Sequence, residues 1–222
     1  MKQAMLLLLL GVWLNPSISQ KIVEKHLDFS QKKWIVLNIQ IADSIKIVTW
    51  NKNEVYVKSS INVNDNQDND DYKMTFDESG SSVDVSAKFD FPKGKNGCGF
   101  SGNCNCDCNY KSDIYTVVYI PENVDFSVES INANITISGN TAKIRAHTIS
   151  GFIDLTVPPQ RNADLKLSTI SGTMYSDFDF NSGNKSMRRV GGNSISTELN
   201  TGGGKPINLE TISGDIFLRK SV

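Results

Sequence analysis

One tetrapeptide, Thr-Ile-Ser-Gly, occurs three times in the chain, and its spacing constrains the fold more than any other feature. The glycines of the three copies are Gly151, Gly172 and Gly214, and the intervals between them are 21 and 42 residues. The match extends beyond the tetrapeptide, because the positions seven and five residues before each glycine and two residues after it are all apolar. These positions hold Ile144, Leu165 and Ile207, then Ala146, Leu167 and Leu209, then Ile153, Met174 and Ile216.

The residues between these apolar positions are polar and vary from copy to copy, as at His147, Ser168 and Glu210. Alternation of this kind is typical of a β-strand with one buried face. Each copy is therefore predicted to be a strand, a corner and a second strand. Ser-Gly suits a corner because glycine accepts a positive φ and a serine hydroxyl can hydrogen-bond to nearby backbone. The predicted corner residues are Ser150, Gly151, Ser171, Gly172, Ser213 and Gly214.

A repeat of about 21 residues indicates a stacked architecture. A unit this short cannot bury its inward face alone, whereas stacked units can, with strands about 4.8 Å apart and equivalent residues above one another. We therefore expect an all-β fold of the β-solenoid or β-helix type. A fourth corner is expected near Asn193, which Gly191 and Gly192 precede, and a partial corner out of register at Gly139.

Short alternating runs fill most of the remaining chain, each bounded by Asn, Asp, Gly or Ser, as strands are. The acidic stretch at 62–72 interrupts these runs. It lacks the EF-hand pattern, because Asp70 stands where that pattern needs glycine. We interpret the stretch as an exposed hairpin tip, with a loose calcium site as the alternative. We predict a signal peptide at 1–19, an N-terminal strand region at 20–91, a Gly/Asn/Cys-rich loop at 92–112 and a C-terminal repeat region at 113–222.

The first residues have the organisation of a cleaved secretory signal. Lys2 is followed by an apolar stretch from Met5 to Leu14 and by small residues at Ser17 and Ser19, so cleavage would leave Gln20 first. A membrane-spanning helix needs about 20 apolar residues, which this stretch does not supply. We therefore expect export without a transmembrane span, and a periplasmic, cell-surface or secreted location.

Three stretches resemble a known family of exported proteins. They are INLETISGDIFLRK at 207–220, YTVVYIPENVDFSVESINANITISG at 115–139 and IQIADSIKIVTWNKNEVYVKSS at 39–60. Together they resemble the DUF4097/DUF2807 group of putative adhesins, β-strand-repeat proteins of Bacteroidetes-type bacteria. The resemblance implies a β-solenoid-like fold and residence at the surface or in the periplasm, and it brings no catalytic residues with it.

All four cysteines lie within eleven residues, at Cys98, Cys104, Cys106 and Cys108. In an exported protein an even number of cysteines favours disulfide bonds, although the sequence does not choose among the three pairings. A thiolate site for zinc or copper(I) is the alternative, since four soft ligands in one loop can surround an ion, but the C-x5-C-x-C-x-C spacing differs from paired zinc motifs. A third possibility is that the four cysteines are free thiols or a mixture of free and bonded thiols.

Arrangements that support catalysis are weak in this sequence. A Ser-His-Asp triad would need His26 or His147, and the repeat places the latter at an outward position. Asp177 and Asp179 are spaced like paired carboxylates of polysaccharide-cleaving enzymes, but alternation with phenylalanine is also typical of a half-exposed strand. We therefore predict no catalytic residues and no cofactor.

The net charge of −1, from 23 basic and 24 acidic residues, gives no electrostatic basis for binding nucleic acid. The favoured function is that of an exported, non-enzymatic β-repeat protein, an adhesin or surface binding protein whose ligand is a glycan or a protein. The alternatives are a polysaccharide-active β-helix enzyme and a metal-binding or redox module at the cysteine loop. The sequence indicates no particular oligomeric state.

Overall fold

The computed structural model describes residues 20–90, 111–180 and 193–222. These residues form β-strands and one short 3-10 turn at Asn69–Asp71, so the prediction of an all-β fold is confirmed. The strands are β1 (Lys21–Asp28), β2 (Trp34–Ile39), β3 (Ser44–Trp50), β4 (Glu54–Val63), β5 (Tyr72–Asp77), β6 (Ser82–Phe89), β7 (Ser112–Pro121), β8 (Asp125–Ser130), β9 (Asn134–Ser138), β10 (Ile144–Ser150), β11 (Ile153–Val157), β12 (Ala163–Ser171), β13 (Met174–Ser176), β14 (Asn193–Leu199), β15 (Ile207–Ser213) and β16 (Ile216–Lys220).

The strands form two sheets of eight. Sheet 1 has the order β1-β4-β7-β3-β9-β11-β16-β13, and sheet 2 has the order β14-β12-β15-β10-β8-β2-β6-β5. Buried side chains of both sheets belong to one hydrophobic cluster, which includes Ile35 and Leu37 of sheet 2 and Ile45 and Ile47 of sheet 1. The core therefore lies between the sheets, and strands from before and after the cysteine-rich segment contribute to it.

The repeating unit is a strand of sheet 2, a corner and the next strand of sheet 1. Neighbouring units pair in parallel and in register, since Ile207 pairs with both Ile144 and Leu165, and Leu209 pairs with both Ala146 and Leu167. The equivalence of apolar positions inferred from the repeat is therefore confirmed. Alternation buries these side chains and leaves the residues between them on the outward face of sheet 2.

The units do not stack in the order in which they occur along the chain. The last unit, β15 and β16, lies beside both β10–β11 and β12–β13, and β2–β3 lies between β8–β9 on one side and β6 and β7 on the other. Units are thus interleaved, whereas in a simple solenoid each unit would follow its predecessor. Antiparallel strands complete the ends, with β1, β4 and β5 at one end and β14 at the other.

Two expectations about further corners have different outcomes. Asn193 itself is not a corner, because it begins β14, which runs antiparallel to β12 and pairs Asn193 with Thr169 at the edge of sheet 2. Gly191 and Gly192, on which the expected corner also depended, lie outside the described residues. Gly139 does lie at a corner, but there the chain returns from β9 of sheet 1 to β10 of sheet 2, with a φ of 106°. This opposite type of corner explains why Gly139 is out of register with the three Thr-Ile-Ser-Gly copies.

No helix among residues 20–90, 111–180 and 193–222 is long and apolar enough to cross a membrane.

Candidate functional site

The Thr-Ile-Ser-Gly copies lie where the chain passes from sheet 2 to sheet 1, and their glycines allow neighbouring corners to touch. Gly151 donates its backbone N–H to the carbonyl of Ser213 at 3.2 Å, and Gly214 donates to the carbonyl of Ser171 at 3.1 Å. A Cβ on Gly214 would overlap the carbonyl group of Gly151, and one on Gly172 would overlap the carbonyl group of Gly214. Of these three glycines only Gly151 has a positive φ, at 140°, so close backbone approach is their common requirement.

Buried hydroxyl groups join neighbouring corners. Three come from the threonine of the tetrapeptide, and one comes from Ser130 at the equivalent position of another unit. In four neighbouring units a serine or threonine at the same inward position donates to a backbone carbonyl of the adjacent corner. The pairs are Ser130 to Gln40 at 3.3 Å, Thr148 to Ala133 at 3.2 Å, Thr211 to Gly151 at 3.0 Å and Thr169 to Gly214 at 2.9 Å. The inward register of threonine, two residues after a buried Ala or Leu, was a sequence signal for this role.

The serines and isoleucines of the tetrapeptide face solvent. Ser150, Ser171 and Ser213 are exposed at their corners. The isoleucines align with Ile131 of the preceding unit into an isoleucine column, whose members in order of position are Ile131, Ile149, Ile212 and Ile170, with exposed fractions of 46, 41, 39 and 65%. The tetrapeptide therefore recurs where corners pack against one another, and its serines are exposed to solvent.

A different surface collects aromatic side chains, on the outward face of sheet 1. His26, Tyr56 and Tyr119 are directly paired across β1, β4 and β7, and Trp50 at the end of β3 lies beside them. Ring centroids are 4.5 Å apart for His26 and Tyr56, 5.9 Å for Tyr56 and Tyr119, and 5.2 Å for Tyr119 and Trp50. We call these four residues the aromatic row.

The rings of the aromatic row are held in place by stacking and by hydrogen bonds of Trp50 and His26. The planes of His26 and Tyr56 are inclined by 28°, and so are those of Tyr56 and Tyr119, so these rings face one another and stand on the sheet. The indole Nε1–H of Trp50 donates to the carbonyl of Glu54 at 2.9 Å. His26 belongs to the edge strand β1, and its side chain is 60% exposed.

Charged groups flank the aromatic row on both sides. Lys58 and Glu24 form an ion pair at 2.7 Å, and this hydrogen-bonded ammonium holds the pKa of the Glu24 carboxyl below its usual value. Partial burial, and then the carboxylate of Glu24, raise the pKa of Tyr56.

On the other side of the aromatic row, Glu54 lies 3.2 Å from His26 Nδ1 and 3.6 Å from Lys52 Nζ. Lys52 Nζ lies 4.6 Å from the centre of the Trp50 ring.

An open depression adjoins the His26 end of the row. Its volume is 320 Å³, and it is lined by His26, Leu27, Asp28, Lys52, Asn53 and Glu54. Asp28 accepts hydrogen bonds from Ser30, from the hydroxyl at 2.6 Å and the backbone N–H at 3.1 Å, and they lower the pKa of its carboxyl. The depression thus combines an aromatic ring, an amide, an ammonium group and two carboxylates.

The opposite end of the same sheet carries a second aromatic group. Tyr175 stacks on Phe217 with centroids 5.1 Å apart and planes inclined by 8°, and Phe152 meets Phe217 edge-on. The Nε–H of Arg219 donates to both carboxylate oxygens of Asp154 at 2.9 Å, and its guanidinium group lies 5.1 Å from the centre of the Phe217 ring. Sequence reasoning missed both aromatic groups, because their members come from strands far apart in the chain.

The residues singled out from the sequence lie away from the aromatic row. His147 and Glu210 pair across β10 and β15 on the outward face of sheet 2, and Ser168 pairs with Glu210 from β12. Strand β13 ends at Ser176, so the two carboxylates expected on one strand face, Asp177 and Asp179, follow the strand instead. Asp177 accepts a hydrogen bond from the backbone N–H of Lys220 at 3.2 Å.

Several predicted features fall outside the described residues. Cys98, Cys104, Cys106 and Cys108 do, and so does the signal peptide at 1–19. Within the described part of the chain, no group of three or more His, Cys, Asp or Glu side chains could hold a metal ion. The acidic stretch forms a turn in which Asn64, Asp65 and Asn66 have positive φ values and Asn69 accepts a hydrogen bond from the backbone N–H of Val63.

Comparison with known proteins shows a likeness of fold. A crystal structure described as a putative cell adhesion protein from Clostridium sporogenes ATCC 15579 matches 91% of this chain and 100% of its own, with a TM-score of 0.57 and 11% identity. A putative adhesin from Bacteroides fragilis NCTC 9343 matches 92% of this chain and 99% of its own, with a TM-score of 0.24 and 8% identity. No protein-family model and no curated protein matches the sequence.

Proposed function

We propose that the chain is an exported, non-enzymatic binding protein of the adhesin type, which binds a surface ligand through the outward face of sheet 1. The aromatic row carries the proposal. Four rings are gathered from four strands onto a solvent-facing surface, where core packing does not require them. Export would follow from the signal peptide predicted at 1–19, and the interleaved units would form a short solenoid-like scaffold.

A paired sheet is a suitable support for such a surface. Binding sites gain affinity when their side chains are fixed before the ligand arrives, since less conformational entropy is then lost on binding. The rings of the aromatic row restrain one another, and β4 and β7, which carry two of them, are each paired on both sides. Tyrosine and tryptophan are also the residues most enriched at the centres of binding surfaces.

The likeness in fold to a protein described as a putative cell adhesion protein is consistent with this proposal. The location would be the periplasm, the cell surface or the medium, and the partner a glycan or a protein. Because the two aromatic groups occupy opposite ends of sheet 1, they offer a matched pair for testing which region binds.

The test combines cell fractionation with an adherence assay. We expect the protein outside the cytoplasm, and we expect a deletion strain to adhere less to its surface. Complementation with the Trp50→Ala/Tyr119→Ala double variant should fail to restore adherence, whereas the Tyr175→Ala control should restore it. A cytoplasmic location, or full adherence of the deletion strain, would contradict the proposal.

A further inference from the structure

The depression beside His26 has the chemistry of a sugar site, and we propose that it binds one sugar residue of an uncharged glycan. This inference rests on the proposed function and names the ligand class for the same face of sheet 1. The depression is lined by His26, Leu27, Asp28, Lys52, Asn53 and Glu54, and its 320 Å³ lies at the small end of the about 300–1,000 Å³ typical of small-molecule sites.

The ring of His26 is held by a stacked neighbour and is exposed to solvent. Tyr56 stacks on one face of this ring at a centroid distance of 4.5 Å. Within the part of the chain that the structure describes, β1 is the edge of sheet 1, and the side chain of His26 is 60% exposed. An exposed aromatic ring that is held by a stacked neighbour can pack against the C–H groups of a pyranose ring.

Hydrogen-bond donors and acceptors lie beside the ring of His26. A carboxylate has about four acceptor positions, and Glu54 uses its two oxygens toward His26 at 3.2 Å and Lys52 at 3.6 Å, so capacity remains. The ammonium group of Lys52 and the exposed amide of Asn53 add donors beside it. Adjacent acceptors and donors beside an exposed aromatic ring match the alternating hydroxyls of a sugar.

The small apolar area of this surface favours a glycan over a protein partner. The rings of the aromatic row face one another, so they present mainly their edges to solvent. A stable protein interface buries about 800 Å² on each partner around an apolar centre. The aromatic row is flanked by the ion pairs Glu24–Lys58 and Lys52–Glu54, which limit its apolar area, whereas a sugar needs only the small depression.

Charge indicates which glycans fit. The depression holds two carboxylates, Asp28 and Glu54, against one ammonium group, Lys52. A uronate or sialate would add a third carboxylate to this site and be repelled. Neutral hexoses and N-acetylhexosamines avoid that repulsion.

The experiment measures binding of defined oligosaccharides to the purified protein at pH 7.5. Maltotriose, mannotriose, galactotriose and chitotriose are the neutral probes, and trigalacturonic acid is the anionic probe. We expect saturation-transfer NMR and calorimetry to detect at least one neutral probe. His26→Ala and Glu54→Gln should each weaken that binding by about tenfold, and Tyr175→Ala should leave it within about twofold.

The side chains of His26, on the edge strand β1, and of Glu54, at the start of β4, are both partly exposed. The two variants should therefore fold, and circular dichroism checks this. The inference is overturned if no neutral probe binds, if only trigalacturonic acid binds, or if both variants retain full affinity. Adherence that depends on Trp50 and Tyr119 without any sugar binding would overturn the glycan assignment and leave the proposed function standing, with a protein as its ligand.

Discussion

Each residue of the Thr-Ile-Ser-Gly tetrapeptide has a different environment at the corner. The threonine hydroxyl is buried and bonded to a neighbouring corner, the isoleucine belongs to an exposed column, the serine faces solvent, and the glycine touches another backbone. Two of the four positions therefore stabilise the contact between units. At this scale the threonine and the glycine should respond most strongly to substitution.

Gly214→Ala should destabilise the protein by about 2–4 kcal/mol, in the range of changes that force backbone strain. The new Cβ would overlap the carbonyl group of Gly151, and backbone on both sides is paired and cannot move away freely. Urea unfolding followed by circular dichroism measures the change. Gly80→Ala is the control, since the nearest atom to its Cβ is 4.0 Å away, and equal effects at the two sites would contradict the contact.

Thr211→Val should cost about 1–2 kcal/mol, because it keeps the shape of the side chain and removes the hydroxyl that donates to the Gly151 carbonyl at 3.0 Å. Ser213→Ala, two residues later, changes an exposed side chain and should alter the free energy of unfolding by less than about 0.5 kcal/mol. Thermal and urea unfolding compare the two. A larger effect at the serine would mean that serine, and not threonine, joins the corners.

Tyr72 should make the protein sensitive to alkaline pH. Its side chain is 1% exposed, its hydroxyl donates to the Ile41 carbonyl at 2.8 Å, and burial raises its pKa. The unfolded chain ionises this group near pH 10 while the folded protein keeps it neutral, so its contribution to stability is complete below pH 10 and is lost as the pH rises further.

Replacing Tyr72 by phenylalanine should therefore reduce the loss of stability between pH 9.5 and pH 11, although it costs about 1 kcal/mol at pH 7 through the lost hydrogen bond. Urea midpoints across this pH range measure both effects. Tyr175→Phe is the control, because Tyr175 is 51% exposed. Parallel curves for the wild type and Tyr72→Phe would show that Tyr72 ionises equally in both states.

At the scale of elements, the sequence predicts register well and neighbours poorly. Apolar alternation and the 21-residue interval placed Ile144, Leu165 and Ile207 at equivalent positions, and the pairing of β10, β15 and β12 agrees. Periodicity depends on local burial, which each strand reports by itself. The aromatic row depends on which strands are adjacent, and that information is absent from any single strand. Tyr56 and Tyr119 are separated by more than sixty residues and became neighbours only in the sheet.

The pairing of β4 with β7 should show energetic coupling between these two tyrosines. A double-mutant cycle with Tyr56→Ala and Tyr119→Ala should give an interaction energy of about 0.5–1.5 kcal/mol, as stacked cross-strand rings do. Unfolding free energies of the single and double variants measure it. A second cycle of Tyr56→Ala with Tyr175→Ala should be additive, since Tyr175 lies on the other edge of sheet 1. Coupling of equal size in both cycles would point to a general effect on the sheet.

For the whole molecule, interleaving is the property that the sequence hides. A unit of this repeat pairs in the same register with any other unit, so the spacing of the glycines is compatible with several stacking orders. The structure places β15 between β10 and β12 and β16 between β11 and β13, so this unit lies inside the stack although it follows β14 in the sequence. A protein of this kind gains its stability as one cooperative body, unlike a repeat array in which each unit contacts only the units before and after it along the chain.

Removal of the last unit should therefore unfold the protein. A chain ending at Thr201 would leave β10 and β11 without their neighbours on one side and would separate β12 and β13 from sheets 2 and 1. Circular dichroism and amide hydrogen exchange should show loss of structure that extends beyond β12 and β14, whereas removal of Ser221 and Val222 should leave the sheets intact. In a stack that follows chain order, the longer truncation would remove only a terminal unit and lower stability modestly. A folded truncated protein, with protection retained in β8, β10 and β12, would show that the last unit is dispensable and that the interleaved order does not govern stability.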